Sequence, residues 1–234
     1  VMDCSKCIAL MAANDGDIWD YSLSGTGGKK TPANPAIPIV CITTSAGTAS
    51  EVDIASVISD DEADEKTGIF FPSMFPTISV VDSDLMMSVP PKFTAYQGMD
   101  AFFLASETVV NKNVHPMAEM FALKTIELVA KYLPTAVKDG SNKEARAYMA
   151  LANTMCTSAH TIEHTMGSFH PDLVHGAGLI MTAHAYYDFF AERQAAEEAM
   201  IKMAKAMGIE NPSSGKDFIK ALDEVFSGRG IFYT

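Results

Sequence analysis

The sequence predicts an α/β part followed by an all-helical part, with the change of character near residue 91. Before that point, apolar residues come in short β-branched runs bounded by Gly, Pro and acidic turns, as strands do. After it, they recur at i, i+3 and i+4 over long stretches, as amphipathic helices require. The expected domains are therefore 1–91 and 92–234.

Residues 3–13, DCSKCIALMAA, predict a short helix rich in small apolar residues. Residues 24–38, SGTGGKKTPANPAIP, hold too much Gly and Pro for regular structure and predict a loop. IVCITT (39–44) predicts a buried strand, VDIASVISD (52–60) a second extended segment with a polar stop, and TISVVD (77–82) a third. The acidic DDEADEK (60–66) predicts a solvated turn between them. Pro90 and Pro91 close the strand region. HPMAEMFALKTIELVAKYL (115–133) then sets Met117, Met120, Phe121, Ile126, Val129 and Leu133 close to one helical face. EARAYMALANTM, the run from His175 to Gly208, and GKDFIKALDEVF predict further helices.

The 234 residues are 48% hydrophobic and 20% charged, an ordinary balance for a globular protein. A formal charge of -12 with scattered lysines and arginines argues against nucleic acid as a partner. No apolar run reaches the roughly 18 residues that span a bilayer, so no membrane partner is expected. The four cysteines are Cys4, Cys7, Cys41 and Cys156; their small number and the lack of a secretion signal predict a cytoplasmic setting. Cys4 and Cys7 have the spacing of a redox motif or half a zinc site, but no second pair completes it. The same spacing simply puts two small apolar residues on one helix face. The sequence opens without an initiator Met inside a predicted helix, from which we expect a chain that begins earlier.

Four of the six histidines fall in HTIEHTMGSFHPDLVHG, residues 160–176. His160 and His164 are four apart and share a face if helical. Pro171 should break that helix, so His175 begins a new segment able to return past the first. Imidazoles in this pattern suit zinc or ferrous iron, a proton relay, or a polar helix edge. His170 and His184 look peripheral, and His115 precedes a Pro in a surface turn. Asp100, in QGMDAFFLAS, is an acid among apolar neighbours and is expected to face inward. A buried carboxylate is costly unless hydrogen-bonded or bound to a metal, so Asp100 is a candidate ligand or a hydrogen-bonding helix residue. In TTSAGTASE (43–51), small residues follow a strand end. They suit either backbone contact with an anion or an ordinary polar loop, and the stretch is neither a P-loop nor a G-x-G-x-x-G turn.

In this order the segments resemble the iron-containing (group III) alcohol dehydrogenases. ITTSAGTASEVD is similar to the family's Thr-Thr-Ala-Gly-Thr-Gly-Ser-Glu cofactor segment. MFPTISVVDSDLMMSVPPKFTAYQGMDAF looks like its passage into the helical domain, and HTIEHTMGSFHPDLVHGAGLIM resembles its histidine signature. VMDCSK looks like the x-x-Asp-x-x-Lys that follows the family's Gly-Gly-Gly-Ser turn. Glycerol dehydrogenase and dehydroquinate synthase share the architecture but match the FHPDLVHGAG run less well.

The resemblance implies a partial, Rossmann-like α/β nucleotide-binding portion followed by an all-α metal-binding domain. It implies an NAD(P)-linked alcohol dehydrogenase interconverting alcohol and aldehyde. The cofactors would be Fe2+ (or Zn2+) and NAD or NADP, in a dimer or larger homo-oligomer. Carried over by position, Asp100, His160 and His175 are metal ligands and His164 is the active-site histidine. Thr44, Ser45 and Thr48 contact the cofactor, with Ser45 where Thr is usual, and Asp3 and Lys66 join them. The family's fourth ligand is a His four residues after the Asp, where this sequence has Leu104. The stretch before His160 looks shorter than in relatives, the C-terminus stops early, and the family's glycine-rich phosphate turn is absent. These departures leave a second expectation beside the enzyme: a catalytically silent family member acting as a binding or assembly subunit.

Overall fold

The structure, a computed structural model, describes residues 1–155 and 172–227. Within that range residues 1–43, 50–81 and 172–174 form one compact unit, and 44–49, 82–155 and 175–227 form another. Among the described residues no helix is long and apolar enough to cross a membrane.

The first unit opens with helix α1 (Met2–Met11), whose first turn carries Asp3, a favourable place for a negative charge. Its inner face buries Lys6, Cys7, Ala9 and Leu10, and Leu10 packs with Tyr21, Ile69 and Met74. Cys4 and Cys7 are free thiols, the first exposed and the second buried, with Cys7 Sγ 2.9 Å from Ser56 Oγ. Burial pushes the Cys7 thiol up from its ordinary value.

Strands β1 (Val40–Thr43), β2 (Ala55–Asp60), β3 (Glu65–Phe70) and β4 (Ile78–Val81) follow. β1 pairs with β4 in parallel, Val40 opposite Ile78 and Thr43 opposite Val81. β1 was expected to be buried; it is buried on one face only. Cys41 and Thr43 point inward, while Val40 and Ile42 are exposed beside Ile78 and Val80. β2 and β3 form an antiparallel hairpin from Ala55–Phe70 to Asp60–Glu65. Its acidic turn is closed by Asp60 Oδ1, which accepts the Glu62 and Ala63 N–H groups at 2.9 and 3.2 Å. β3 escaped the sequence reading because its first residues belong to the acidic run and Gly68 interrupts its alternation. Cross-strand pairing with β2 supplies what its own pattern lacks.

The second unit is helical. α2 (Pro91–Val110) starts on a Pro at its first position, where the missing N–H has no partner to lose. α3 (Pro116–Lys138) is capped by His115, whose Nδ1 accepts the Met117 N–H at 3.2 Å, and α4 (Lys143–Thr154) is capped by Asn142. The predicted run from His175 to Gly208 is two helices, α5 (His175–Arg193) and α6 (Glu197–Ala206), broken where Gln194 takes a φ of +50°. α7 (Gly215–Ser227) follows.

Ile126, Val129 and Leu133 are fully buried on α3 as expected, but Met117, Met120 and Phe121 are exposed. At about 100° per residue, Met117 falls on the side of the helix opposite Ile126. The core stacks Phe102 on Phe218 with ring centroids 6.2 Å apart, and Tyr187 meets Phe218 edge-on at 5.0 Å. The Tyr187 hydroxyl hydrogen-bonds that of Ser106. Arg146 ties α4 to the start of α2, donating to Thr94 Oγ1 at 2.8 Å, Val89 O at 2.9 Å and Gly140 O at 3.0 Å.

Candidate metal centre

Asp100 lies in the third turn of α2, only 4% exposed, as its apolar neighbours predicted. Its Oδ1 is 3.5 Å from Nε2 of His175, the half-buried first residue of α5. Two glycines allow this meeting. A Cβ on Gly176 would stand 2.3 Å from Tyr96 O and 2.9 Å from Tyr96 Cα. Only a residue without one lets α5 begin directly against the α2 backbone, one turn before Asp100.

On the other side, a Cβ on Gly47 would stand 3.1 Å from Gln97 Cα and 3.3 Å from Asp100 Oδ2. The Thr44–Ala49 loop therefore lies flush against α2 at the carboxylate. The loop ends on Ala49, which is fully buried in the left-handed region at φ +53° and donates its N–H to Asn153 Oδ1 at 2.9 Å.

The donor types and their separation suit a divalent ion. At 3.5 Å the pair is longer than a charge-assisted hydrogen bond, about 2.7–2.9 Å. Two donors each about 2.1 Å from one tetrahedral ion stand about 3.4 Å apart. The negative carboxylate also sits at the N-terminus of α5, where the helix dipole favours it. Among the described residues no three His, Cys, Asp or Glu side chains gather as a metal cluster; Asp100 and His175 are the two of the three predicted ligands that lie among them. His160, His164 and His170 lie outside the described residues. Leu104, one turn after Asp100 on α2, is 3% exposed and presents an aliphatic chain to the core.

Of the expected cofactor residues, Thr44, Ser45 and Thr48 share the loop against α2, with Thr44 and Thr48 exposed and Ser45 half-buried. Asp3 and Lys66 belong to the first unit. Asp3 is held there by three contacts. Its Oδ1 accepts from Ser50 Oγ at 2.9 Å, its Oδ2 from the Val57 N–H at 2.8 Å, and its carbonyl from Ser56 Oγ at 2.8 Å. Lys66 stands opposite Ser59 in the hairpin.

Sequence reasoning missed Lys6, a fully buried ammonium. Its Nζ donates among Asp53 Oδ1 at 2.6 Å, Ala55 O at 2.9 Å, Asp53 O at 3.0 Å and Ser50 Oγ at 3.1 Å. Burial pushes the Asp53 carboxyl up, against the opposing pull of that ammonium. The x-x-Asp-x-x-Lys pattern marked Lys6 in the sequence but not its partners. Gly47 and Gly176 were likewise visible only as members of small-residue runs. His184, expected to be peripheral, lies at the surface 3.2 Å from Asp223.

Residues 1–83 match the family model for iron-containing alcohol dehydrogenase, and residues 94–231 match that for the C-terminal part of the Fe-containing alcohol dehydrogenase family. The chain belongs to the iron-containing alcohol dehydrogenase family. It is 37% identical over 183 residues to the NAD-dependent methanol dehydrogenase of Bacillus methanolicus, covering 74% of this chain and 46% of that one. It is 34% identical over 217 residues to the 1,3-propanediol dehydrogenase of Klebsiella pneumoniae, covering 88% and 54% respectively. A solved alcohol dehydrogenase of an archaeal halo-thermophile from a Red Sea brine pool superposes with a TM-score of 0.90 at 28% identity. That match covers 98% of this chain and 62% of the other. The chain thus spans about half the length of the curated relatives it matches.

Proposed function

We propose that the chain is an NAD(P)-linked alcohol dehydrogenase that interconverts a small alcohol and its aldehyde, with Fe2+ or Zn2+ held by Asp100, His160 and His175. The observation that carries this reading is the convergence of Asp100 Oδ1 and His175 Nε2 at 3.5 Å in a buried setting. The names of the relatives, a methanol and a 1,3-propanediol dehydrogenase, support the enzymatic reading over that of a silent subunit. Residues 1–91 would serve as the nucleotide-binding portion and 92–234 as the metal-binding domain of a cytoplasmic homo-oligomer.

A divalent ion at this position supplies Lewis-acid polarisation of an alcohol or carbonyl oxygen. A bound nicotinamide nucleotide would supply a hydride acceptor for the alcohol carbon, and the hydroxyl proton would pass to a base. By the family resemblance His164 would be that base, imidazole being the side chain that exchanges a proton most readily near neutral pH. Asp100 contributes a negative donor from within a helix, and His175 a neutral one from a helix start. Their rigid supports hold both in place without further ordering. Thr44, Ser45 and Thr48 would offer hydroxyls to the cofactor, and the family resemblance assigns Asp3 and Lys66 to it as well.

The test is to load the protein with Fe2+ or Zn2+, add NAD+ or NADP+, and follow reduced nicotinamide on addition of methanol or 1,3-propanediol. Alcohol-dependent reduction that disappears in Asp100→Asn is expected. A metal-loaded protein that reduces neither nucleotide with any short alcohol overturns the proposal.

A further inference from the structure

Resting on the metal reading above, we infer that Gly47 is a positioning residue for the Asp100 carboxylate, so that order in the 44–49 loop and metal uptake at Asp100 reinforce each other. A carboxylate is planar, and its final torsion is broad and nearly two-fold, so burial alone does not fix where its oxygens point. Here the two oxygens meet different surroundings. Oδ1 faces His175 Nε2 at 3.5 Å, and the Oδ2 side is walled by the loop at Gly47.

The wall needs glycine, because a Cβ at position 47 would press on Gln97 Cα at 3.1 Å and Gln97 Cβ at 3.2 Å as well as on Asp100 Oδ2 at 3.3 Å. Two of those atoms are fixed by the α2 backbone and cannot swing aside. Relief would come from the loop or the carboxylate moving, and either opens the arrangement.

The loop is also held from behind. Ala49 stays left-handed, a conformation unfavourable for an L-residue, while its N–H is bound by the buried Asn153 side chain. Such strain persists only where the surroundings over-determine it. The same loop carries Thr44, Ser45 and Thr48, so a contact at Gly47 joins the candidate cofactor hydroxyls to the candidate metal carboxylate through one stretch of backbone. Coupling of this kind is reciprocal: an ion that fixes the carboxylate also fixes the loop against which it rests.

The deciding measurement is amide hydrogen exchange on the wild-type 234-residue chain, with and without Zn2+. The expected result is slower exchange at residues 46–49 on zinc loading, by roughly 5- to 150-fold, the usual range of such coupling. The effect should be absent in Asp100→Asn. In parallel, Gly47→Ala should weaken zinc binding by about 10- to 100-fold, with its helical circular dichroism kept. Zinc bound through Asp100 with unchanged exchange at 46–49, or unchanged zinc affinity in a folded Gly47→Ala, overturns this inference and leaves the metal reading standing. A wild-type chain that takes up no zinc or iron overturns both. If Gly47→Ala does not fold, the wild-type exchange result decides.

Discussion

Carboxylates in the two units of this molecule are met in opposite ways. In the first unit, Asp53 and Asp3 are drawn together around Ser50 and the fully buried Lys6 ammonium, which has four oxygen acceptors within 3.1 Å. The ammonium offsets the Asp53 charge, hydrogen bonds hold Asp3, and the network fastens α1 to the start of β2. In the second unit, Asp100 stands 3.5 Å from an imidazole and against a glycine loop. A lysine turns a buried carboxylate into a structural fastening. An imidazole at that distance sets a ring nitrogen and a carboxylate oxygen at a spacing that suits two ligands of one divalent ion.

The comparison can be broken most sharply at Lys6. Lys6→Met should remove the counter-charge and leave Asp53 poorly compensated, destabilising the protein by about 3–5 kcal/mol. Urea unfolding should show it, and a change under about 1 kcal/mol would mean that the network is not a fastening. A smaller effect is expected at Leu104. Leu104→His places an imidazole in the core and should cost about 1–3 kcal/mol without metal. With zinc present, the same variant should recover that stability and bind zinc on the order of 10-fold more tightly. Loss of stability that zinc does not restore would show that position 104 cannot reach the centre.

Smaller again is Ala49→Gly, which relieves a left-handed alanine and should raise stability by about 1 kcal/mol in thermal unfolding. A loss would argue that the Ala49 methyl group does more in packing than its strain removes. The least effect concerns the thiols of α1. At neutral pH iodoacetamide should label exposed Cys4 well before Cys7, whose burial raises its pKa and keeps thiolate scarce. Cys7 labelling should accelerate as pH rises toward that elevated value, and peptide mass mapping reads both.

Much of this was legible in the sequence, and what escaped did so for physical reasons. Helix periodicity gave α3, α4 and α7, because 3.6-residue spacing is a property of the chain alone. β3 was missed because its stability comes from a partner strand. Asp100 could be read as buried from its neighbours, but its distance to His175 could not, since that depends on Gly176 meeting the α2 backbone. Leu104 was legible through the family resemblance, whereas the left-handed backbone at Ala49 was not. Asn153 had no sequence signal, because its role is a side-chain bond to a loop 104 positions away.

The central claim is that Asp100 and His175 are donors to one divalent ion. X-ray absorption at the zinc edge of the loaded protein tests it most directly. The account predicts nitrogen and oxygen neighbours at about 2.0–2.2 Å with an imidazole signature, and loss of bound zinc in Asp100→Asn. A first shell dominated by sulfur at about 2.3 Å, or a spectrum unchanged by Asp100→Asn, would contradict it.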